Sequence, residues 1–249
     1  INYVDILSEY EKFKTRKKYL ISNNENIKGK SLEILDMKSS YEKTFTSSSK
    51  STKEERFIYS YTKSNQIIIM LGNHTCSRRS EDYLTLKVLE SHLSFGMSSI
   101  LFKLFREKNG ITYDVGVLNS AKKSSAPFLV YLSVSNKNAL RAFEILSALW
   151  RELLFYSIPY EEIHLAKEKL KSSLLINHQS LDEILQRELQ LISCGLNSFS
   201  DKDYLSQIET ISSNDIQRLA NKYFTKPFLS IIGEKILCQK IKHKWLEDF

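Results

Sequence analysis

The sequence predicts an α+β fold, in which a mainly antiparallel sheet carries helices packed on one face. Apolar or alternating segments near both ends of the chain, at 57–71 and 228–232, predict strands, and amphipathic helical patterns lie between them. Only 3 Pro and 7 Gly occur in 249 residues, which favours regular elements over irregular loops. The hydrophobic content of 42% excludes a disordered composition and is sufficient for a substantial core.

The first 53 residues differ from the rest of the chain. Apolar spacing predicts a short helix over about 3–20, and a Ser-, Lys- and Glu-rich stretch begins at Thr46. We interpret residues 1–53 as a connector arm and residues 54–249 as the compact α+β domain. The chain starts at Ile1 rather than Met, so we expect a longer natural polypeptide in which the arm joins a preceding domain.

The domain opens with two strands and a helix. Phe57, Tyr59 and Tyr61 alternate with polar residues and predict a strand with one buried face, and 66–71 is a second, apolar strand. Ser80 is a candidate N-cap for the helix that follows. Beyond residue 120, the pattern predicts in order a strand at 128–134, helices that begin near Asn136 and Pro159, helices at about 181–193 and 213–223, and a closing strand at 228–232.

The most informative segment is 94–118, SFGMSSILFKLFREKNGITYDVGVL. It predicts a loop, an amphipathic helix, a turn at Gly110 and a strand. Arg106 and Tyr113 flank this turn, so two long side chains with polar tips can project together. Periodicity alone favours another interpretation, in which Arg106 is a surface residue that pairs with Glu107 or Asp114 and Tyr113 is a half-buried strand residue.

The order and residue types of this segment resemble the segment SSRLF..LRE..GLAYSV of the pitrilysin/insulinase-type zinc metallopeptidases. In that family the segment lies in the domain that does not hold the metal. Gly96, Ser98 and Ser99 match the loop before the helix, and Gly110 matches the turn.

The resemblance extends from about Tyr59 to Gly233. Glu162 and Lys167 match the "E...AK..L" helix of the family, and 204–216 resembles its "i..vt.edi" segment. One departure is Ile100, which stands where the family often has Arg.

The resemblance implies the repeated α+β domain of that family, and it implies roles for two residues. Arg106 and Tyr113 would reach from this domain into the cleft and contact the substrate backbone near the scissile bond. The matched loop and turn residues would support them. An arginine presents a rigid fork of donors to carbonyl oxygens, and a tyrosine hydroxyl can donate to a developing oxyanion.

The motif through which that family binds zinc, H-x-x-E-H, does not occur in this sequence. Its nearest imitation is His164 with Glu168 one helical turn on, which we interpret as a surface pair. The sequence also contains no G-x-S-x-G elbow, Walker loop or dinucleotide-binding glycine pattern. We therefore expect no metal and no catalytic residue in this chain, and the resemblance implies zinc on a partner domain or subunit.

The net charge and the cysteines indicate which partners and which compartment to expect. The net charge is +7, but the basic residues are scattered, so we interpret them as a solvated surface and expect no nucleic acid. The cysteines are three and widely spaced, which favours free thiols in a reducing, cytoplasmic compartment. No apolar run approaches the ~20 residues needed to cross a membrane.

These observations lead to two hypotheses of different classes. The first is the substrate-binding half of a zinc metalloendopeptidase, which completes the cleft of a zinc-bearing domain or subunit, binds a peptide and is inactive alone; a dimer is compatible with it. The second is a structural or interaction protein that keeps the fold without proteolysis, as occurs in respiratory complexes. A nucleic-acid binder is a third hypothesis, and it rests on charge alone.

Overall fold

The computed structural model describes residues 3–15, 56–112, 114–120, 122–177, 179–197 and 201–249. The predicted boundary between residues 53 and 54, and the last part of the helix predicted over 3–20, lie outside these residues. The chain divides into two compact units, which are Ile1–Ser48 with Asn177–Ser198, and Ser49–Ile176 with Phe199–Phe249. The second unit contains the sheet and the segment at 94–118.

The elements are numbered here in chain order. They are α1 (Tyr3–Thr15), β1 (Phe57–Tyr61), β2 (Gln66–His74), α2 (Asp82–Ser94), α3 (Ile100–Phe102) with a π-helical segment (Lys103–Lys108), β3 (Asp114–Asn119), β4 (Pro127–Ser135) with a 3-10 turn (Asn136–Asn138), α4 (Ala139–Phe155), α5 (Tyr160–Asn177), α6 (Leu181–Ser193), α7 (Asp201–Thr210), α8 (Ser213–Tyr223), β5 (Phe228–Gly233) and α9 (Lys235–Asp248).

The five strands form one mixed sheet in the order β1-β5-β2-β4-β3. Only β1 and β5 are parallel, and the other three pairings are antiparallel. The longest pairing joins β2 to β4 along their full lengths, from Gln66 opposite Ser135 to His74 opposite Pro127. The α+β class and the mainly antiparallel sheet predicted from the sequence are thus confirmed.

One face of this sheet forms the core. Along β2, Ile67, Ile69 and Leu71 are fully buried, and the alternate side chains of β4 are buried in the same way. Helices α2, α4 and α9 pack against the strands from this side. On the opposite face Ile58 and Ile232 are 62% and 43% exposed. Because side chains alternate along a strand, the predicted packing of helices on one face follows directly from this pattern.

The edge strand β1 departs from the predicted burial. It forms where the alternation predicts it, but of its residues only Phe57 is buried, and Tyr59 and Tyr61 are 46% and 44% exposed. The ring of Phe57 lies 6.0 Å from that of Trp245 on α9. The two tyrosines point to the same face but lie at the edge of the sheet, where less of the chain covers them.

The helices agree with the sequence in part. Helix α4 begins at Ala139, after the 3-10 turn at Asn136–Asn138, and α5 begins directly after Pro159, as expected for both. Helices α7 and α9 were not predicted, so β5 does not close the domain. Helix α9 buries Cys238, Ile241 and Trp245, which recur at i, i+3 and i+7, and this spacing was the available signal.

Three aromatic rings join the sheet to two helices at the centre of the core. Phe224, directly after α8, lies 5.3 Å from Phe128 on β4 and 4.6 Å from Trp150 on α4, measured between ring centroids. The Trp150 Nε1–H donates to the Phe224 carbonyl at 3.0 Å. The buried indole therefore keeps a hydrogen-bond partner while its ring contributes to the apolar core.

A buried carboxylate connects α2 to α8. Asp82 accepts hydrogen bonds from Lys222 Nζ at 2.7 Å and from the Tyr223 hydroxyl at 2.9 Å, and Arg218 Nη2 lies 2.9 Å away. Burial alone would raise the pKa of this carboxyl. The hydrogen bonds from its three partners outweigh burial and hold the pKa below its ordinary value of 3.8.

We expect Asp82→Asn to lower the free energy of unfolding by about 2 kcal/mol, because it removes charge-assisted hydrogen bonds to a buried group. Urea unfolding at pH 7 measures this loss. Glu81→Gln, an exposed neighbouring carboxylate, is the matched control and should change stability by less than about 0.5 kcal/mol. Equal effects of the two substitutions would contradict the assigned role of Asp82.

The same carboxylate should make stability depend on pH. Because its pKa is lower in the folded than in the unfolded state, its contribution is present above the unfolded pKa of about 4 and is lost as the pH falls through the folded pKa. The difference in stability between the parent chain and Asp82→Asn should therefore shrink between pH 5 and pH 2.

Candidate functional site

The segment that resembles the metallopeptidase family contains a short helix with an anchored inner face. Helix α3 continues directly into the π-helical segment Lys103–Lys108. Leu101 and Phe105 are 1% and 0% exposed and fix this helix to the core. The predicted helix is thus confirmed in position, but its second half is π-helical, which the sequence pattern did not indicate. Such wide turns are rare and occur frequently at functional sites.

The loop before α3 turns at Gly96, whose φ of +74° lies in the left-handed region. Ser99 is buried, and its N–H donates to the Gly96 carbonyl at 3.1 Å. The Ser99 carbonyl in turn accepts the Lys103 N–H at 3.0 Å, while Ser98 is exposed. Gly96 and Ser99 therefore set where the helix begins, and the supporting role predicted for the loop stays a prediction.

The helix ends in a left-handed cap at Gly110, where φ is +57°. The Gly110 N–H donates to the Arg106 carbonyl at 3.2 Å, and the Ile111 N–H donates to the Phe105 carbonyl at 2.8 Å. This is a Schellman-type arrangement widened by one residue, as expected after a π-helical turn. Asn109 Nδ2 adds a bond of 2.7 Å to the Leu104 carbonyl. The predicted turn is therefore a helix cap that satisfies the carbonyls of Leu104, Phe105 and Arg106.

Arg106 lies on the exposed side of this helix. The centre of its guanidinium is 4.9 Å from the centroid of the Phe102 ring, one turn earlier, and this contact steadies the arginine. Tyr113 lies outside the described residues, and the predicted proximity of the two side-chain tips stays a prediction. After it, the Asp114 N–H donates to Thr112 Oγ1 at 3.0 Å, where β3 begins.

The residues of the second matched helix have structural partners. Lys167 is buried on α5 and donates to the Glu209 carbonyl at 2.8 Å, which ties α5 to the end of α7. Glu162 lies in the first turn of α5, with its carboxylate 3.6 Å from Nε2 of the buried His92. Burial, together with the nearby Lys169 and Lys103, lowers the pKa of His92 to about 4, so this imidazole is neutral at pH 7.

No three His, Cys, Asp or Glu residues lie close enough to hold a metal ion in the part of the chain that the structure describes. The His164 ring stacks on that of Tyr160, with centroids 6.1 Å apart, and Glu168 pairs with Lys171. The described residues therefore do not fit a zinc ion. Within the same residues, no helix has the length and apolar character of a membrane span.

A family profile identifies the family to which this chain belongs. The family profile described as "Peptidase M16 inactive domain" matches residues 14–170, which include the whole segment at 94–118. The chain belongs to this family. The resemblance to the non-metal domain of the pitrilysin/insulinase-type metallopeptidases is thus confirmed.

Relatives of this M16 inactive domain are zinc proteases by name. An uncharacterized zinc protease of Streptomyces coelicolor is 26% identical over 172 residues, which cover 69% of this chain and 38% of that protein. An uncharacterized zinc protease of Rickettsia felis is 31% identical over 144 residues, which cover 55% of this chain and 33% of that protein. The M16 inactive domain described here thus spans little more than a third of these relatives.

Solved structures show the same fold. A peptidase M16 inactive domain from Pseudomonas fluorescens has a TM-score of 0.65 at 20% identity and covers 72% of this chain and 43% of that one. A protease from Helicobacter pylori has a TM-score of 0.60 at 20% identity, covering 82% and 52%. Complex III2 from Candida albicans contains a chain with a TM-score of 0.62 at 15% identity, covering 74% and 49%.

We expect Gly110→Ala to lower the free energy of unfolding by about 1 kcal/mol, because a Cβ is strained in the left-handed region. A Cβ at this position meets no atom within 4 Å, so the cost is conformational and not steric. Gly110→Asn should cost less, since asparagine tolerates this conformation. Thermal unfolding of both variants tests this, and equal losses would show that backbone strain is not the cause.

Proposed function

We propose that this chain is the non-catalytic, substrate-binding half of a zinc metalloendopeptidase of the processing or peptide-degrading type. It would complete the cleft of a zinc-bearing M16 domain, on the same polypeptide or on a partner subunit. Membership of the M16 inactive domain family and the names of the relatives support this proposal.

The observation that carries the proposal is the placement of Arg106. The inner face of its helix is anchored by Leu101 and Phe105, and the helix end is fixed by the Gly110 cap, so the arginine is presented from a rigid support. A guanidinium held over a ring presents a planar fork of N–H donors, and this geometry suits a peptide carbonyl. Rigid presentation matters, because small displacements of a substrate-positioning group are costly in rate.

Tyr113 would act beside it. Its hydroxyl would donate to the oxyanion that develops at the scissile carbonyl, whereas Arg106 would grip a neighbouring carbonyl of the substrate backbone. This division of roles follows the chemistry of the two groups, since a phenol gives one donor and a guanidinium gives several.

The uncovered sheet face supports a companion domain. Ile58, Ile68, Leu118 and Ile232 are 38–62% exposed on the side of the sheet away from α2, α4 and α9. Exposed apolar patches on a sheet mark interaction surfaces. The solved relatives are about twice as long as the part this chain covers, so the same fold occurs there with a comparable length of additional chain.

A structural or interaction protein without proteolysis is the second candidate. It is favoured by the chain of Complex III2 that shares the fold, and by the same exposed sheet face, which such a role would also require. The two candidates differ at Arg106 and Tyr113, because a purely structural protein requires neither donor. Kinetics of variants at these positions therefore separate them.

The purified 249-residue chain should hold no stoichiometric zinc and should cleave no peptide. The reason is that its sequence lacks H-x-x-E-H and that no three-ligand set occurs in the described residues. Elemental analysis after dialysis against zinc-containing buffer tests the first part. One tightly held zinc per chain would contradict the assignment of this domain as the non-metal half.

In the enzyme assembled with its zinc-bearing half, Arg106→Ala and Tyr113→Phe should both lower kcat/KM while zinc content stays unchanged. Loss of one transition-state donor typically costs ~10²–10³ in rate, so Tyr113→Phe should act mainly on kcat. Arg106→Ala should also raise KM, if the arginine binds the ground-state substrate. Steady-state kinetics with a fluorogenic peptide measures both parameters.

Lys108→Ala is the matched control, since it removes an exposed positive charge from the same π-helical segment. It should leave kcat/KM within about threefold of the parent, well short of a typical donor loss. If Arg106→Ala and Tyr113→Phe also stay within this range and only the melting temperature falls, the substrate-binding proposal is wrong and the structural candidate is favoured.

A further inference from the structure

A recess lies beside the matched segment, among α2, α4 and α5. We call it the His92 pocket, and its volume is about 240 Å³. Its walls are mainly apolar, formed by Ile100, Leu149, Leu153, Ile158 and Pro159. Its polar lining consists of His92, Glu152, Tyr156, Ser157 and Glu162. A pocket of this size is smaller than a typical small-molecule site and suits a single long side chain.

The pocket carries two carboxylates that lack cationic partners. Neither Glu152 nor Glu162 pairs with a lysine or arginine among the described residues, and the ionic contact recorded for Glu162 is to His92 at 3.6 Å. Since His92 is neutral at pH 7, this contact does not neutralise the carboxylate. The lining therefore has a negative charge of two beside an apolar wall.

His92 gives an independent indication of a ligand. Its side chain is only 9% exposed, it lines the pocket, and it forms no hydrogen bond with any residue that the structure describes. Its ring nitrogens are not among the described atoms that are both sealed from solvent and without a hydrogen bond, so they open on the pocket, where a ligand or water can meet them. The charges of Lys103 and Lys169 help to lower the pKa of His92, but these two residues are not part of the pocket lining.

We propose that the His92 pocket binds the side chain of a lysine or arginine from a peptide. The methylene stem would pack on Leu149, Leu153 and Ile158, as the stems of long cationic side chains do on apolar surface. Glu152 and Glu162 would flank the charged end, and the free imidazole nitrogen of His92 would accept one of its N–H groups. The proposal deepens the proposed function, in that a peptide is the ligand, but it assigns a site separate from Arg106.

Titration of the full 249-residue chain with N-acetyl-lysine amide and N-acetyl-arginine amide, followed by NMR, tests this proposal. We expect saturable shifts of the His92 ring signals, with a dissociation constant on the order of 1–10 mM for so small a ligand. N-acetyl-norleucine amide has the same stem without the charge and should bind at least about tenfold more weakly. N-acetyl-aspartate amide should not bind.

Substitution of single carboxylates provides matched variants. Glu162→Gln and Glu152→Gln should each raise the dissociation constant for the lysine amide about tenfold, a factor that corresponds to one charge-assisted contact. Glu161→Gln makes the same change of net charge one position away, outside the pocket lining, and should raise it less than about twofold. Thermal melting of each variant checks that it is folded, and the two pocket variants are independent tests, since they lie on different helices.

Several results would overturn the proposal. Equal binding of the lysine and norleucine amides would show that the recess is apolar and does not recognise charge. Equal effects of Glu161→Gln and Glu162→Gln would show that binding depends on the net charge of the surface and not on a contact in the pocket. Preferred binding of the aspartate amide would show that this region binds anions, through Lys103 and Lys169. Absence of shifts at saturating lysine amide would show that the pocket takes no cationic side chain.

The titration can distinguish failure of this inference from failure of the proposed function. The titration requires neither zinc nor turnover. A chain with Arg106→Ala that still binds the lysine amide would leave this inference in place, even if the assembled enzyme proved inactive or the variant kinetics favoured a structural role.

Discussion

Burial of a single face of the sheet is the constraint on which the rest of the structure depends. The fully buried positions of β2 and β4 alternate with partly or fully exposed ones, so helices can pack from one side only. Phe224 and Trp150 then lock α4 and the end of α8 onto that side, through ring contacts with Phe128 and the indole hydrogen bond. The other face exposes Ile58, Ile68 and Ile232, and we propose that a companion domain covers it.

The matched segment packs on the same core. Leu101 and Phe105 are part of the apolar cluster, so the orientation of the π-helical turn is fixed by packing and not by its own short length. A short helix needs such support, because few of its backbone hydrogen bonds are internal. Gly110 then closes the helix and releases the chain toward β3. Packing determines the direction of Arg106, and the glycine determines where the helix stops.

The sequence predicted elements that depend on neighbouring residues along the chain. It did not predict features that depend on contacts between residues distant in sequence. Apolar spacing at Leu101 and Phe105 was sufficient for the helix, and the Asn109-Gly110 pair for its end. The burial of Asp82 was not readable, because its partner Lys222 lies 140 residues away. Helix α9 was missed because its buried residues are separated by lysines, which make the stretch resemble a solvated surface. His92 looks like any histidine on an apolar helix face, and only the structure shows that it lines a pocket without a hydrogen bond.

Ile100 connects Arg106 with the His92 pocket, the two places at which we propose that a peptide binds. It lines the His92 pocket and is also the first residue of the helix that carries Arg106. Arg106 is six positions after Ile100, which is a rise of about 9 Å along the helix axis at 1.5 Å per residue. An extended peptide advances by about 3.3 Å per residue, so a basic side chain in the pocket would place the backbone about three residues further along the peptide near Arg106. Because Ile100 and Arg106 belong to one helix that is anchored in the core, the distance between these two residues is fixed by covalent geometry and packing. A peptide that occupied both places would therefore be held in a defined register with respect to the bond presented to the zinc-bearing half.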